Sequence, residues 1–320
     1  MPQILLLDPW GWVADHDTGW GNRLMAWDFV SHIRETLGAE HEILVMEKEF
    51  PEIHQTHLPH TKLVKESDQH LISTNPSFIP ITDDVVIKWY ETGVLDLDPN
   101  LNYTTGYTFD ILSRALNVFF GRVSSNKYIL PISLKNQKLN KSVQKYSENL
   151  IGIHIRRGSG VYFSQEDWEK IPNEVKHVYD PCFECDKQYV VVHDDYIFNV
   201  IDYFLENTPH KIYISIDVDE EAVNYYKFKY PNKIFTCRDF IMSNLKTVNS
   251  SNILDKVNKF KNIGYNLIDF FILVNCHFVL QSKNSTWSKL ATDISGGPHS
   301  NVNNGLDLII KRYNEIGNIE

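Results

Sequence analysis

The period of the apolar positions changes several times along the chain, and each change marks a new element. Ile4–Leu7 is a continuous apolar run of strand length. Leu24, Trp27, Ile33 and Leu37 recur at helical spacing, so a helix is predicted from about Arg23, with Gly38 as its stop. Glu42–Met46 reads as the next strand. The chain therefore opens strand, glycine-containing loop, helix, strand, which begins an α/β layer. Residues 50–105 are punctuated by Pro51, Pro59, Pro76, Pro80 and Pro99 and predict loops and short elements. Phe109–Val118 predicts a helix. Residues 135–149 are rich in Lys, Asn, Gln and Ser, with no apolar stripe wide enough for a core helix. A domain boundary is expected there, dividing an N-terminal domain, 1–147, from a C-terminal one, 148–320.

From Leu150 the pattern sharpens. Leu150–Ile155, Lys211–Ile216, Lys233–Thr236 and His277–Gln281 read as strands. Tyr196–Leu205, Glu220–Tyr230, Gly264–Val274 and Trp287–Ile294 read as helices. Residues 161–195 are irregular and polar. Alternating strands and helices over 150–295 predict a doubly wound parallel sheet.

Composition narrows the function classes. The 320 residues carry 31 Lys and Arg against 41 Asp and Glu, a formal charge of −10, which argues against nucleic acid as partner. Hydrophobic residues at 42% and charged residues at 22% fit a folded chain. There is no apolar run of about 18 residues, so no transmembrane helix is expected. The N-terminus lacks a basic region before its apolar run, so a signal peptide is not expected and a cytoplasmic location is. Four Cys are too sparse for a disulfide scaffold. Cys182-Phe-Glu-Cys185 has zinc-like spacing, with His177 and His193 nearby, but no second CxxC completes it.

The candidate chemistry gathers at predicted strand ends. In open α/β sheets ligands sit outside the carboxyl ends of the strands. His154-Ile-Arg156-Arg157-Gly158 ends one strand, and period 2 puts His154 and Arg156 on one face. Guanidinium groups beside a glycine turn suit a phosphate group; the alternative is a structural surface pair. Asp217 ends the next strand, positioned either to accept hydrogen bonds from a base or ribose or to cap the following helix. Asp219 reads as a helix cap. Ser285 and Thr286, at a predicted helix start, either bind an anion with the backbone N–H groups or act as N-caps. Asp269 interrupts an apolar helix, as a surface position or a directed ligand contact, and sequence alone favours the surface. Gly19-Trp-Gly21-Asn22-Arg23-Leu24 allows a ligand close to a helix start but is not GxGxxG. No GxGxxG follows any strand, which argues against a dehydrogenase. Loop aromatics Trp10, Trp12 and Trp20 suit either stacking on sugar faces or core packing.

Four blocks, in order, resemble the fucosyltransferase superfamily that uses GDP-fucose, which includes the nodulation-type, α1,6- and protein O-fucosyltransferases. They are Gly21–Leu24, Ile151–Gly160, Lys211–Asp217 with Tyr230–Phe235, and Leu267–Asp269 with Ser285–Ser288. The likeness covers about 15–40 and 148–296. It implies a GT-B fold of two Rossmann-like domains and an inverting, metal-independent transfer of fucose from GDP-fucose to a glycan hydroxyl. No cofactor is implied beyond the donor. Arg156 would hold the β-phosphate, with His154 and Arg157 beside it. Asp269 would accept guanine N–H bonds, Ser285 and Thr286 would bind phosphate oxygens, and Asp217 would lie near the nucleoside. Gly21 and Asn22 would belong to the donor site. The acidic residue often found just after the family's Arg pair is replaced by Gly158-Ser159-Gly160. The general base is then sought among Glu166, Asp167, Asp15, His16 and Asp17. Another nucleotide sugar as donor, or a binding module without catalysis, are the alternative readings.

Overall fold

The structure is a computed structural model that describes residues 1–6, 20–38, 40–46, 56–65, 67–68, 77–105, 133–155, 161–162, 179–182, 189–192, 194–216, 220–245, 264–282, 285–302 and 304–316. The chain divides into two compact units, Met1–Gln137 and Lys138–Glu320.

The N-terminal unit opens with β1 (Gln3–Leu6), α1 (Trp20–Thr36) and β2 (Glu42–Met46). These match the expected strand, helix and strand, except that α1 starts before Arg23. Gly21 and Asn22 therefore lie in its first turn rather than in a loop ahead of it. Then come β3 (Thr56–His57), β4 (Thr61–Val64), β5 (Phe78–Pro80), α2 (Asp83–Thr92), β6 (Asn102–Thr104) and β7 (Ser133–Leu134). Five strands form a parallel sheet in the order β4-β2-β1-β6-β5, while β3 and β7 pair antiparallel. Residues 50–105 thus supply three strands of the unit's sheet. Each is only three or four residues long, too short to show a period. The buried Trp27 fixes α1 over this sheet, its indole N–H donating to Thr61 Oγ1 at 2.8 Å. The helix expected at Phe109–Val118 lies outside the described residues.

The C-terminal unit begins with α3 (Gln137–Ser147), in the stretch expected to be too polar for a core helix. Its stripe is narrow: Val143 and Ser147 are buried. Tyr146 supplies the rest, packing edge-on against Phe240 at 5.0 Å and near Phe235. After it come β8 (Leu150–Ile155), β9 (Val161–Tyr162), β10 (Tyr179–Cys182), β11 (Tyr189–Val192), α4 (Asp194–Asn207), β12 (Lys211–Ile216), α5 (Glu220–Lys229), β13 (Ile234–Phe235), α6 (Cys237–Leu245), α7 (Gly264–Val274), β14 (Phe278–Gln281), α8 (Thr286–Ser295), β15 (His299–Asn301) and α9 (Leu306–Ile316). Strands β9, β10 and β11 form a small antiparallel sheet where an irregular segment was expected. α6, β15 and α9 were not anticipated either.

The main sheet of this unit is wholly parallel, in the order β13-β12-β8-β14-β15. Its five strands in chain order run third, second, first, fourth, fifth, the Rossmann arrangement. Both units carry the parallel α/β layers expected of Rossmann-like domains, with the fourth and fifth strands of the N-terminal sheet exchanged in order. β8 is buried at all six positions, as a central parallel strand covered on both faces must be. α7 is apolar on nearly all sides, with Leu267, Ile268, Phe270, Phe271, Ile272 and Leu273 buried. It can approach β8 because Gly152 has no side chain. A Cβ there would lie 3.0 Å from Cys276 Sγ and 3.0 Å from Leu273 Cδ2. Gly152→Val is expected to cost about 1–3 kcal/mol by overpacking, read as a lower urea midpoint at unchanged m-value.

Candidate functional site

The parallel order reverses between β8 and β14, and the crevice at such a switch point is where ligands bind in open α/β sheets. The described site residues lie on the strands and helices around it. His154 is the penultimate residue of β8 and is buried, opposite Ser215 on β12. Ser282, just beyond β14, donates its hydroxyl to the His154 carbonyl at 2.6 Å and ties the two strand ends together. His154 is thus fixed at the mouth of the sheet, as its strand-end position predicted.

Asp269 is not at the surface, the placement that sequence alone favoured. It is half-buried on α7, where its neighbours Leu267, Ile268 and Phe270 are core residues. Its two oxygens meet two hydroxyls from β12: Tyr213 donates to Oδ1, and Ser215 donates to Oδ2 at 2.5 Å. Burial pushes the carboxyl up to about 6, while Ser215, Tyr213 and the Trp287 indole pull it back. The nearby thiols of Cys237 and Cys276 are buried, and burial with the Asp269 charge raises both. A carboxylate has about four acceptor positions, so these donors leave at least one for a ligand.

Ser285 occupies the N-cap position of α8, with extended backbone (φ −82°, ψ 116°), but its side chain makes no capping hydrogen bond. Its carbonyl accepts from Lys289 N at 3.1 Å, so the helix begins regularly behind it. Of the two readings for Ser285, capping is the one this geometry does not use. Two residues into the helix the hydroxyl of Ser288 is fully buried and has no hydrogen-bond partner among the described residues. The first turn of α8 combines backbone N–H groups with serine hydroxyls, a donor set suited to an anion. Thr286 is the first residue of α8.

The structure brings together His154, Asp269 and Ser285 on the elements around one crevice. Arg156, Arg157, Asp217, Glu166 and Asp17 lie outside the described residues, as do Asp15, His16 and Asp167. Of Gly21, Asn22 and Thr286 only the helical backbone is described. Tyr213, Ser215, Ser282 and Trp287 were missed. Period 2 along β12 was the available signal for two of them, since it puts Tyr213 and Ser215 on one face. Among the described residues no three His, Cys, Asp or Glu side chains gather as a metal site. Cys182 ends β10, while Cys185, His177 and His193 lie outside the described residues. Among the described residues no helix is long and apolar enough to cross a membrane.

No protein-family model matches the chain, and no curated protein matches it in sequence. Among solved structures it is similar to the fucosyltransferase NodZ from Bradyrhizobium, at 11% identity and a TM-score of 0.45, over 91% of this chain and 93% of that one. It is similar to a mutant of FUT1 from Arabidopsis thaliana in complex with GDP, at 11% identity and 0.46, over 93% of this chain and 69% of that one. It is also similar to POFUT1 in complex with GDP-fucose, at 10% identity and 0.40, over 92% of this chain and 95% of that one.

Proposed function

We propose that the chain is an inverting, metal-independent glycosyltransferase that moves fucose from GDP-fucose to a hydroxyl of a glycan acceptor. The observation that carries this reading is the switch-point crevice of the C-terminal unit. It is flanked by a half-buried carboxylate on one element and an uncapped helix N-terminus on another. That pairing suits a nucleoside diphosphate: the carboxylate accepts base N–H bonds, and the helix N-terminus takes phosphate oxygens. The ordered motif likeness adds the sugar and the reaction class. We place the acceptor side in the N-terminal unit and the donor side in the C-terminal unit.

In the reaction the acceptor oxygen attacks the anomeric carbon as the bond from that carbon to the β-phosphate oxygen breaks. The acceptor proton passes to the general base, for which Glu166 and Asp17 are the leading candidates. Negative charge develops on the departing diphosphate, and Arg156 neutralises it in the role a divalent cation would otherwise fill. His154 lies at the end of β8, and Arg157 is assigned to the same phosphate group. Ser285 and Thr286 hold phosphate oxygens, and Asp217 contacts the nucleoside.

A donor screen with purified chain tests the reading directly: GDP-fucose should be turned over, by slow hydrolysis or by transfer, faster than UDP- or ADP-sugars. Turnover of a different GDP-sugar would leave the nucleotide site and move the sugar specificity. Binding without turnover of any donor would favour a binding module. Activity should also survive EDTA. If EDTA abolishes it and Mn²⁺ or Mg²⁺ restores it, Asp217 and Asp219 become a metal site.

A further inference from the structure

The hydroxyls of Tyr213 and Ser215 each hydrogen-bond the Asp269 carboxylate. Both come from β12, from alternate residues on one face, and each meets a different oxygen of the carboxylate. Tyr213 is fully buried and Ser215 nearly so, so neither hydroxyl trades this bond for water at little cost. Two donors on two oxygens fix the plane of the carboxylate as well as its position. They also favour its charged form, against an environment of apolar α7 side chains that opposes the charge.

We infer that Tyr213 and Ser215 are positioning residues, whose paired hydroxyls aim the Asp269 carboxylate and keep it ionised, so that these two side chains set the pH range over which the nucleobase is held. This rests on the reading of Asp269 as the base acceptor. The direction follows from the chemistry. An ionised carboxylate accepts N–H bonds, whereas the protonated acid offers an O–H where the base also offers a donor. Base binding therefore weakens as pH falls through the carboxyl's own midpoint, which burial has moved up to about 6. The groups facing Asp269 are Tyr213 and Ser215 from β12, Cys237 at the start of α6, Cys276 after α7, and Trp287 of α8. Burial keeps both thiols protonated through this range. Asp269 is thus the member of this set that titrates between pH 5 and about 7.

Tyr213→Phe and Ser215→Ala each remove one donor while keeping the shape of the side chain nearly unchanged. In the full chain, the Asp269 carboxyl can be followed by its carbon-13 resonance or its protonated carbonyl infrared band. In parallel, GDP affinity can be measured by calorimetry between pH 5 and 8.5. Each variant is expected to move the carboxyl midpoint up by about one pH unit, a tenfold change in its protonation equilibrium. GDP affinity should then fall about threefold at pH 6.5 and return to near wild type at pH 8.5. Ser215→Thr, which keeps the hydroxyl, should restore the wild-type midpoint. A purely structural role would weaken GDP at every pH alike. If the carboxyl midpoint stays put in both variants, or Ser215→Thr behaves as Ser215→Ala, the positioning role is overturned. If the midpoint moves up and GDP affinity does not follow it, the positioning role stands and Asp269 is not the base acceptor.

Discussion

Replacing Arg156 with alanine is expected to abolish sugar transfer while leaving the C-terminal unit folded. The position is the first residue beyond β8, whose last residue, Ile155, is buried at the carboxyl end of the sheet. The motif likeness assigns its guanidinium to the diphosphate of the donor. Removing one partner of a desolvated charge pair costs about 3–5 kcal/mol, or more than a hundredfold in rate, because the remaining charge is left uncompensated. Folding should be spared, since the substitution leaves the six buried residues of β8, Leu150–Ile155, unchanged. An unchanged urea midpoint together with lost turnover is the expected pair of results. Arg156→Lys should recover little, because an ammonium group cannot reproduce the bidentate fork on two phosphate oxygens. Near-wild-type turnover in the lysine variant would remove Arg156 from the mechanism.

The parts of the molecule legible in sequence are those whose burial is nearly complete. Lys211–Ile216, Glu42–Met46 and Gly264–Val274 occur with the expected boundaries, because a strand or helix that is largely enclosed leaves a predominantly apolar run. What escaped detection was short or thinly apolar. Thr61–Val64 and Asn102–Thr104 pair within a parallel sheet but present too few residues for a period to emerge. α3 was hidden because one valine and one tyrosine do its packing, amid lysines and glutamines. At the site, sequence located Asp269 but misjudged its surroundings. An acidic residue in an apolar helix looks like a solvent position unless its donors are known, and two of those donors come from Tyr213 and Ser215, more than fifty residues earlier. Such pairing is a product of sheet order, which places β12 beside β8 and brings α7 over both. Ser285 shows the converse: its position as N-cap was readable, but whether its hydroxyl turns inward to the helix was not.

Asp269→Asn is expected to weaken GDP binding at least about tenfold at pH 7.5 and to narrow its advantage over UDP and ADP, since 1.4 kcal/mol corresponds to a factor of ten. Guanine presents N1–H and N2–H on one edge, uracil presents one N–H, and adenine has no such pair. A carboxylate accepts from either oxygen, whereas a carboxamide turns one of those acceptors into a donor that opposes the base. In the wild type GDP should accordingly bind tighter than UDP or ADP, because a ligand lacking the matching donors leaves the carboxylate unpaired, at about 1–3 kcal/mol. The same substitution should act oppositely on stability. Burial raises the folded-state carboxyl from its ordinary 3.8 to about 6, so the unfolded chain releases this proton first as pH rises. The group's contribution to stability therefore falls between about pH 4 and pH 6 and stays low above that range. Asparagine carries no such penalty. Relative to wild type, Asp269→Asn should gain stability from pH 4 to pH 7.5, by about 3 kcal/mol at most, seen as a rising difference in urea midpoints. Tighter folding with weaker, less selective nucleotide binding is what a carboxylate kept for its ligand produces. Equal affinity for GDP and UDP in the wild-type chain would take Asp269 out of base recognition and leave it as a strut between α7 and β12.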